Sequence, residues 1–587
     1  NLFGHLETAD VVLNENRLDD IPQVSPQEND LLSAPFAAEE VRFAIFQIEH
    51  NKAPDLDGFP PEFYQVFWNV IKRELALNRL NFGNIILIPK VGDATKIQQY
   101  RPICLLNVSF KIFTKVATNR ISKVTHNIIS PSQTAFLPRR NIMEGAVVLH
   151  ETLHELHRKK LNGVVFKIDF EKAYDKVRWD FLQQTMRMKG FSTTWCNWIN
   201  SFVQGGNVGD PLSPILFNIV ADMLAGGLSI LQYANDTVIF IDHDLKKARN
   251  MKALLCMFEK ISGLKINFHK SEIFCFGQAK ECESIYSCLF GCRPGSFPFR
   301  YLGIPMHHRK LRNSDWAHIE ERFEKRLIGW KGKLLSVGGR LVLINSVLSS
   351  LPMFMLSFFK IPKGILKKLE YFRSRFFWQN DQHKKKYHLI RWDQIRQPKE
   401  QGGLGVIDLE VQNKCLLSKW LFKLANEDGI WQNLLRAKYL RSKPLGTVNK
   451  KPGDSHFWAG LMELKDEFLG LGSFSVGEGT QVRFWEDTWS GNQPLKRLYP
   501  SLFNIVRNKG ASVAEVMGSV PLNVSFRRGL YGVRLQAWNE LVGRVLNIDL
   551  SEEKDSFKWG LSKLGVFTVK SMYNYLINSG IKVFQEI

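Results

Sequence analysis

Short apolar runs bounded by polar turns organise the first three hundred positions of this 587-residue chain. Val164-Val165-Phe166-Lys167-Ile168 is a nearly continuous apolar run that ends on Asp169, the pattern of a buried strand. Two further apolar runs, Leu231 to Tyr233 and Thr237 to Phe240, meet at the three-residue polar turn Ala234-Asn235-Asp236. That arrangement predicts a β-hairpin with a carboxylate at its tip. Asn84 to Pro89 reads as a strand stopped by proline, which cannot donate to a ladder. Helical spacing of apolar residues runs from Glu39 to Ile48, from Lys111 to Ile121 and from Ile142 to Lys160. The mixture predicts an α+β domain over residues 39–300, preceded by a polar linker or remnant at 1–38. Residues 301–400 read as helical and basic, with cations and rings interleaved in Phe372-Arg373-Ser374-Arg375-Phe376-Phe377-Trp378. A Trp-rich, mostly helical region is expected over 401–587.

Charge narrows the choice of partner. The formal net charge is +22, and residues 301–400 alone hold 21 Lys and Arg against 8 Asp and Glu. A field of that size favours nucleic acid, through phosphate neutralisation and counterion release. Eight cysteines are too sparse for a disulfide framework and suit a reducing compartment. Cys282, Cys288 and Cys292 lack C-x-x-C spacing and read as structural. The N-terminus has neither a basic n-region nor an apolar h-region, so an intracellular protein, nuclear or cytoplasmic, is expected. Residues 341–359 are uncharged and mostly apolar, but Asn345, the serines and a central Pro352 favour a buried helix-turn-helix over a membrane span.

Asp169 and Asp236, 67 positions apart, are candidate ligands for Mg²⁺. This hard cation takes oxygen donors and leaves room for substrate phosphates in a phosphoryl displacement. A rival is His150-Glu151-Thr152-Leu153-His154, an H-E-x-x-H match whose histidines share a helix face as in zinc hydrolases. Against it stand Arg158-Lys159-Lys160, whose positive charge disfavours Zn²⁺ one turn on.

Tyr233-Ala234-Asn235-Asp236 resembles the Tyr-x-Asp-Asp box of reverse transcriptases, with Asn235 where that family has its first Asp. Other motifs follow in family order. Lys52-Ala53-Pro54-Asp55-Leu56-Asp57-Gly58-Phe59-Pro60, Leu87-Ile88-Pro89-Lys90, Tyr100-Arg101-Pro102-Ile103 and Asp169 to Asp175 resemble segments of non-LTR, LINE-type retrotransposon reverse transcriptases of the plant type. So do Gly209-Asp210-Pro211-Leu212-Ser213-Pro214, Gly263-Leu264-Lys265-Ile266-Asn267 with Lys270-Ser271, and Tyr301-Leu302-Gly303-Ile304-Pro305. The resemblance implies a right-handed polymerase fold: fingers and palm over 39–300, then a basic helical thumb or connection over 301–400. It implies RNA-directed DNA synthesis with Mg²⁺ at Asp169 and Asp236. Lys90, Arg101 and Tyr174 would contact the deoxynucleoside triphosphate, with an RNA template and a DNA primer as partners.

Departures from the family are specific. Asn235 removes a carboxylate, and Asn207-Val208 stands where Arg-Gln precedes the Gly-Asp-Pro motif. The chain is shortened relative to the family at 75–79, at 204–208 and between Ala225 and Gly226. Weak or absent polymerase activity is therefore expected, with a non-catalytic nucleic-acid-binding protein as the alternative.

Overall fold

In the computed structural model the strand β3 (Gly163–Ile168) is central to a five-stranded sheet. The structure describes residues 21–50, 58–71, 83–90, 92–171, 176–203, 210–226, 228–330, 335–378, 390–441 and 443–579. They fall into two units, one of Asn1–Leu149 with Lys159–Phe297 and the other of His150–Arg158 with Pro298–Ile587. The proposed Lys52–Asp57 segment, Asp175, and the shortened stretches at 75–79 and 204–208 lie outside the described residues.

The first unit begins with helices α1 (Pro26–Ser33), α2 (Ala38–Gln47), α3 (Pro61–Val66) and α4 (Trp68–Ile71). A ribbon of β1 (Gly83–Pro89) and β2 (Tyr100–Leu106) follows, then α5 (Val108–Ile128) and α6 (Ile142–Arg158), whose residues from His150 on belong to the other unit. After β3 come α7 (Trp179–Met188), α8 (Thr193–Val203) and α9 (Ser213–Asp222). The hairpin of β4 (Ile230–Tyr233) and β5 (Asp236–Asp242) leads to α10 (Leu245–Ser262), β6 (Glu272–Phe276), α11 (Glu283–Phe290) and the short β7 (Arg293–Pro294). The sheet order is β4-β5-β3-β6-β7, antiparallel except for the last pair. A central strand is covered on both faces, which is why β3 reads as continuous apolar sequence rather than as alternation. Its Phe166 is fully buried with Trp195, Ile219, Ile239 and Leu255 in one core. The only half-exposed position of β3 is Lys167, next to the end that carries Asp169.

Two expectations are corrected here. Residues 26–33, read as linker, form α1. Its cap is reciprocal: the Glu28 N–H donates to Ser25 Oγ (3.2 Å) and the Ser25 N–H donates to the Glu28 carboxylate (2.8 Å). Only Leu32 of this helix is buried, so it carries no apolar period, and the Ser25-Pro26-x-Glu28 capping box was the legible signal. The hairpin turn has two residues, not three. Tyr233 pairs with Asp236, so Asp236 opens β5 and Ala234-Asn235 alone make the turn, the loop length that matches strand twist.

The second unit contains the hairpin β8 (Phe299–Tyr301) and β9 (Ile304–Met306). Leu302 and Gly303 both adopt positive φ at its two-residue turn. Helices α12 (Ala317–Gly329), α13 (Val337–Leu343), α14 (Met353–Leu356) and α15 (Lys363–Trp378) follow. Residues 341–359 are therefore broken into short turns at Ile344–Leu348 and Pro352. Among the described residues no helix is long and apolar enough to cross a membrane. The region after 401 is not helical alone. β10 (Gly472–Ser475) pairs antiparallel with β11 (Ser556–Trp559), two four-residue strands too short to show a period of two and far apart in sequence. All eight cysteines are free.

Candidate metal and nucleotide site

Ile168 of β3 lies opposite Thr237 of β5, so the next positions outward, Asp169 and Asp236, leave the sheet at the same edge. Asn235 precedes Asp236 in the turn. Burial raises the pKa of both carboxyls. For Asp236, the Lys167 ammonium partly offsets that rise and the Asp169 charge adds to it. For Asp169, Lys270 and Lys167 offset it and Glu171 adds to it. The Asp169 charge therefore reaches Asp236, and both acids share Lys167.

The backbone on either side of Asp169 is fixed by the Gly263–Ser271 box. The Asp169 N–H donates to Ser271 Oγ (3.1 Å) and its carbonyl accepts the Asn267 N–H (2.7 Å). The Glu171 N–H donates to the Lys265 carbonyl (2.8 Å), and Phe170 bridges Ile266. Lys265 thus acts through its backbone, whereas Lys270 acts through its charge.

The hairpin is fixed from its other side by Ser130–Thr134. The Gln232 N–H donates to the Ser132 carbonyl (2.9 Å) and the Thr134 N–H donates to the Gln232 carbonyl (3.0 Å). Buried Gln133 reaches the turn itself, its Oε1 accepting the Ala234 N–H at 3.0 Å. This bond holds Ala234 at φ +51°, a conformation that costs a residue with a Cβ. A buried ion pair supports the same segment. Lys189 Nζ donates to Asp222 (2.8 Å), whose other oxygen accepts the Ser130 N–H (2.8 Å), and Arg140 donates to the Ser130 and Gln133 carbonyls (2.6 Å each). None of Ser271, Gln133, Lys189 or Asp222 was assigned a role from the sequence, since the contacts described here join positions 33 to 102 apart. Only Ser271 had a signal, its place in the Lys270-Ser271 motif.

Asp210, of the Gly-Asp-Pro motif, is committed to its own backbone. Its carboxylate accepts the Leu212 and Ser213 N–H groups (2.6 and 2.9 Å) and the Ser213 hydroxyl (2.7 Å), an Asx turn that starts α9. Pro211 and Pro214 line a groove of about 550 Å³ with Phe43, Lys115, Lys123 and Phe136. Gly209 and Tyr174 lie outside the described residues. Lys90 is exposed beyond β1, and its N–H donates to the Gln99 carbonyl (2.7 Å). Arg101 is paired with Ile88 in β2, so the ribbon brings Lys90 and Arg101 to one end. That ribbon is a separate two-stranded sheet from the one that carries the carboxylates.

The zinc reading of His150 and His154 is overturned. Glu151 is fully buried and accepts from Lys438 Nζ (2.9 Å), the Tyr439 hydroxyl (2.7 Å) and the Ser455 hydroxyl (2.5 Å). Lys438 Nζ also lies 3.0 Å from His154 Nδ1. An ammonium occupies the face on which the motif would hold a cation, and the glutamate is committed to it. Among the described residues no group of three or more His, Cys, Asp or Glu is placed to hold a metal ion. A pair of neighbouring carboxylates with raised pKa is still a donor set suited to Mg²⁺, which commonly uses one or two carboxylates and fills its shell with water and substrate phosphates.

Residues 88–306 match the family described as reverse transcriptase (RNA-dependent DNA polymerase). The chain is similar to proteins of non-LTR retrotransposons. It is 25% identical over 449 residues to the 149 kDa protein of transposon TX1 from Xenopus laevis, covering 68% of this chain and 34% of that protein. It is 23% identical over 312 residues to the Pol polyprotein of the type-2 retrotransposable element R2DM from Drosophila melanogaster, covering 44% and 29%. It is 22% identical over 322 residues to the R2 Pol polyprotein of Popillia japonica, covering 46% and 44%. The chain thus spans less than half the length of each of these relatives. The matched reverse-transcriptase region contains Lys90, Arg101, Asp169 and the Asn235-Asp236 hairpin.

Stability should report the burial of the Asp236 carboxylate. A carboxyl whose folded pKa is raised above its unfolded value binds protons more tightly when folded. Stability is then lost as pH rises from the unfolded value through the folded one, and the deficit is complete at neutral pH. Asp236→Asn is expected to raise the melting temperature at pH 7 by on the order of 1–3 °C. The gain should vanish once pH falls below the carboxylate range. Thermal unfolding followed at pH 7 and pH 3.5 (about half a unit below the usual Asp pKa) checks the sign.

Proposed function

We propose that this chain is an RNA-directed DNA polymerase by descent that retains nucleic-acid binding and has weak or no polymerase activity. The carrying observation is that Asp169 and Asp236 each lie one position beyond the Ile168–Thr237 pair at one sheet edge, with the neutral Asn235 next in the turn. In this reading residues 39–300 are fingers and palm, and residues 301–400 a thumb or connection. The partners are an RNA template, a DNA primer and deoxynucleoside triphosphates. Asp169 and Asp236 would hold Mg²⁺, which when bound supplies Lewis-acid stabilisation of phosphoryl charge. Lys90 offers a mobile point charge and Arg101 a forked donor, a combination suited to a triphosphate. Tyr174 is assigned to the sugar, where a ring excludes a 2′-hydroxyl. Gln133 and Ser271 keep the two acids in place through backbone contacts.

Replacing one carboxylate by an amide removes a full charge from the region where the reaction develops its own. Losing one such contact costs about 3 kcal/mol of barrier, or two to three orders of magnitude in rate. Primer extension by the unmodified chain on an RNA template, with Mg²⁺ and deoxynucleotides, is the direct test. Robust extension would overturn the claim of weak activity, and no extension together with tight template binding supports it. Binding is expected to weaken at least about tenfold between roughly 50 and 200 mM salt, because each phosphate contact releases counterions. Fluorescence anisotropy with a labelled RNA oligonucleotide measures this. An affinity indifferent to salt would remove the nucleic-acid reading altogether.

A further inference from the structure

Segments 505–507 and 525–527 of the second unit lie antiparallel around a bridge between Val506 and Phe526. The Arg507 N–H donates to the Ser525 carbonyl (2.9 Å) and the Arg527 N–H to the Ile505 carbonyl (2.8 Å). Side chains alternate along such a pair. Val506 and Phe526 turn into the core that holds Trp485 and Leu541, whereas Arg507 and Arg527 turn outward and are exposed. The two arginines are diagonal neighbours, a spacing of roughly 7–8 Å. Arg507 Nε also donates to the Phe526 carbonyl (3.3 Å), which lays its guanidinium beside the other strand.

No acid answers this charge. Residues 505–534 hold Arg507, Lys509, Arg527, Arg528 and Arg534 against Glu515 alone. Glu515 is turned to the Ser512 N–H (2.9 Å) at the cap of its own helix, Val513–Met517. Among the described residues neither Arg507 nor Arg527 has a carboxylate partner. Like charges fixed on adjacent strands repel, so the arrangement costs stability in the free chain. A phosphate backbone laid across them replaces repulsion by attraction and releases counterions.

Beside the cations stands an open ring. Tyr531 is 83% exposed and leans over Gly529, where a Cβ would come within 2.7 Å of the ring. An aromatic ring left in water next to guanidinium groups matches a ligand that alternates charge with flat bases, and a single strand offers unpaired ones. A duplex keeps its bases stacked on each other, and an acidic peptide has none.

We infer that the face formed by Arg507, Arg527, Arg528 and Tyr531 binds a single strand of RNA, with the guanidinium groups on its phosphates and the ring against a base. The assignment rests on the nucleic-acid reading above, whose RNA template is unpaired outside the primed stretch. It lies beyond residues 88–306, the region that matches the reverse-transcriptase family.

The test is an anisotropy titration of a labelled single-stranded RNA with the full chain across a salt series. Arg507→Gln with Arg527→Gln should lower the slope of log affinity against log salt by about 1.4, two phosphates at about 0.7 each. Arg507→Lys with Arg527→Lys should keep most of the slope. Tyr531→Ala should weaken binding about five- to a hundredfold with the slope unchanged, the range for losing one stacked base. The double Gln variant should melt at the wild-type temperature or above it, since it removes two repelling charges. An unchanged slope in that variant, where the wild type binds RNA with salt dependence, overturns the surface and leaves the nucleic-acid reading standing. Failure of the wild type to bind RNA overturns both. Unchanged affinity in Tyr531→Ala makes the face a reader of charge alone and overturns the single-strand assignment. A lower melting temperature for the double Gln variant means the arginines are paired within the fold, which overturns the premise. Repeating the titration with single-stranded DNA of the same sequence fixes the source: a slope deficit on DNA alone overturns the assignment to RNA.

Discussion

Replacing Glu151 by alanine is expected to destabilise the second unit by about 3–5 kcal/mol, the range for removing one member of a buried ion pair. Glu151 is wholly buried, and Lys438 is nearly so, its side chain 4% exposed. Truncation would leave the ammonium with the residue 151 backbone carbonyl (2.9 Å), His154 Nδ1 (3.0 Å) and, as its nearest remaining carboxylate, Glu155 at 3.5 Å. It would also strip acceptors from Tyr439 and Ser455. Tyr439 is stacked flat on Trp458, with ring centres 4.4 Å apart, so the disturbance enters an aromatic core. Burial opposes ionisation of Glu151, but the adjacent His150 imidazole and the Lys438 charge outweigh it and hold its pKa well below the usual carboxylate range. Urea denaturation at pH 7 measures the loss. The double change Glu151→Gln with Lys438→Met should recover much of it, because the orphaned charge is then gone. A loss below about 1 kcal/mol would mean the cluster is solvated rather than buried.

The same cluster sets an acid limit. His154 is pushed down to about 4 by burial and by the Lys438 charge, so it is neutral when folded at pH 7. Between about pH 6.5 and 4 the unfolded chain binds a proton that the folded chain refuses, and stability falls as pH is lowered through that window. The H-E-x-x-H string was thus legible as a helix with a polar face. Its partners were not, because Lys438, Tyr439 and Ser455 lie almost 300 or more positions away.

That separation explains most of what the sequence hid. The β3 run and the 231–240 hairpin were legible because each is local: an apolar stretch, a polar turn, a second stretch. Their adjacency came from family motif order, not from periodicity, since nothing in either run says which strand it pairs with. The carboxylate pair was legible as two acids at strand ends, and the resemblance added the expectation that the two strands lie side by side. The supports were not: Gln133 under the turn and Ser271 beside Asp169 are single polar residues in loops with no periodic signal. Arg507 and Arg527 were hidden for a related reason. They stand 20 positions apart, and only the backbone pairing of 505–507 with 525–527 brings them to one face.

Asn235→Asp is expected to tighten divalent-cation binding by one to two orders of magnitude. At an effective dielectric of about 20, one unit charge acts on another 4 Å away with about 4 kcal/mol, and a divalent ion doubles that. Much of the gain is offset because a third carboxylate crowds Asp169 and Asp236, whose pKa values are already raised. A net 1.4–2.8 kcal/mol, roughly ten- to a hundredfold, is what remains plausible after that offset. Mn²⁺ titration followed by electron paramagnetic resonance reads this without any turnover, and Asp236→Asn in the same background should abolish the gain. Nucleotide incorporation is expected to stay low in the point reversion, because the sequence also reads as shortened, relative to the family it resembles, at 204–208 and between Ala225 and Gly226. Phosphoryl transfer tolerates little misplacement, and ångström-scale shifts can cost about a hundredfold. The deciding comparison is single-nucleotide incorporation by Asn235→Asp, by a chain with the missing segments restored, and by both together. Incorporation by the point reversion equal to that of the combined repair would make the amide the whole defect and the shortened segments neutral. Unaltered Mn²⁺ affinity would instead remove residue 235 from the cation site.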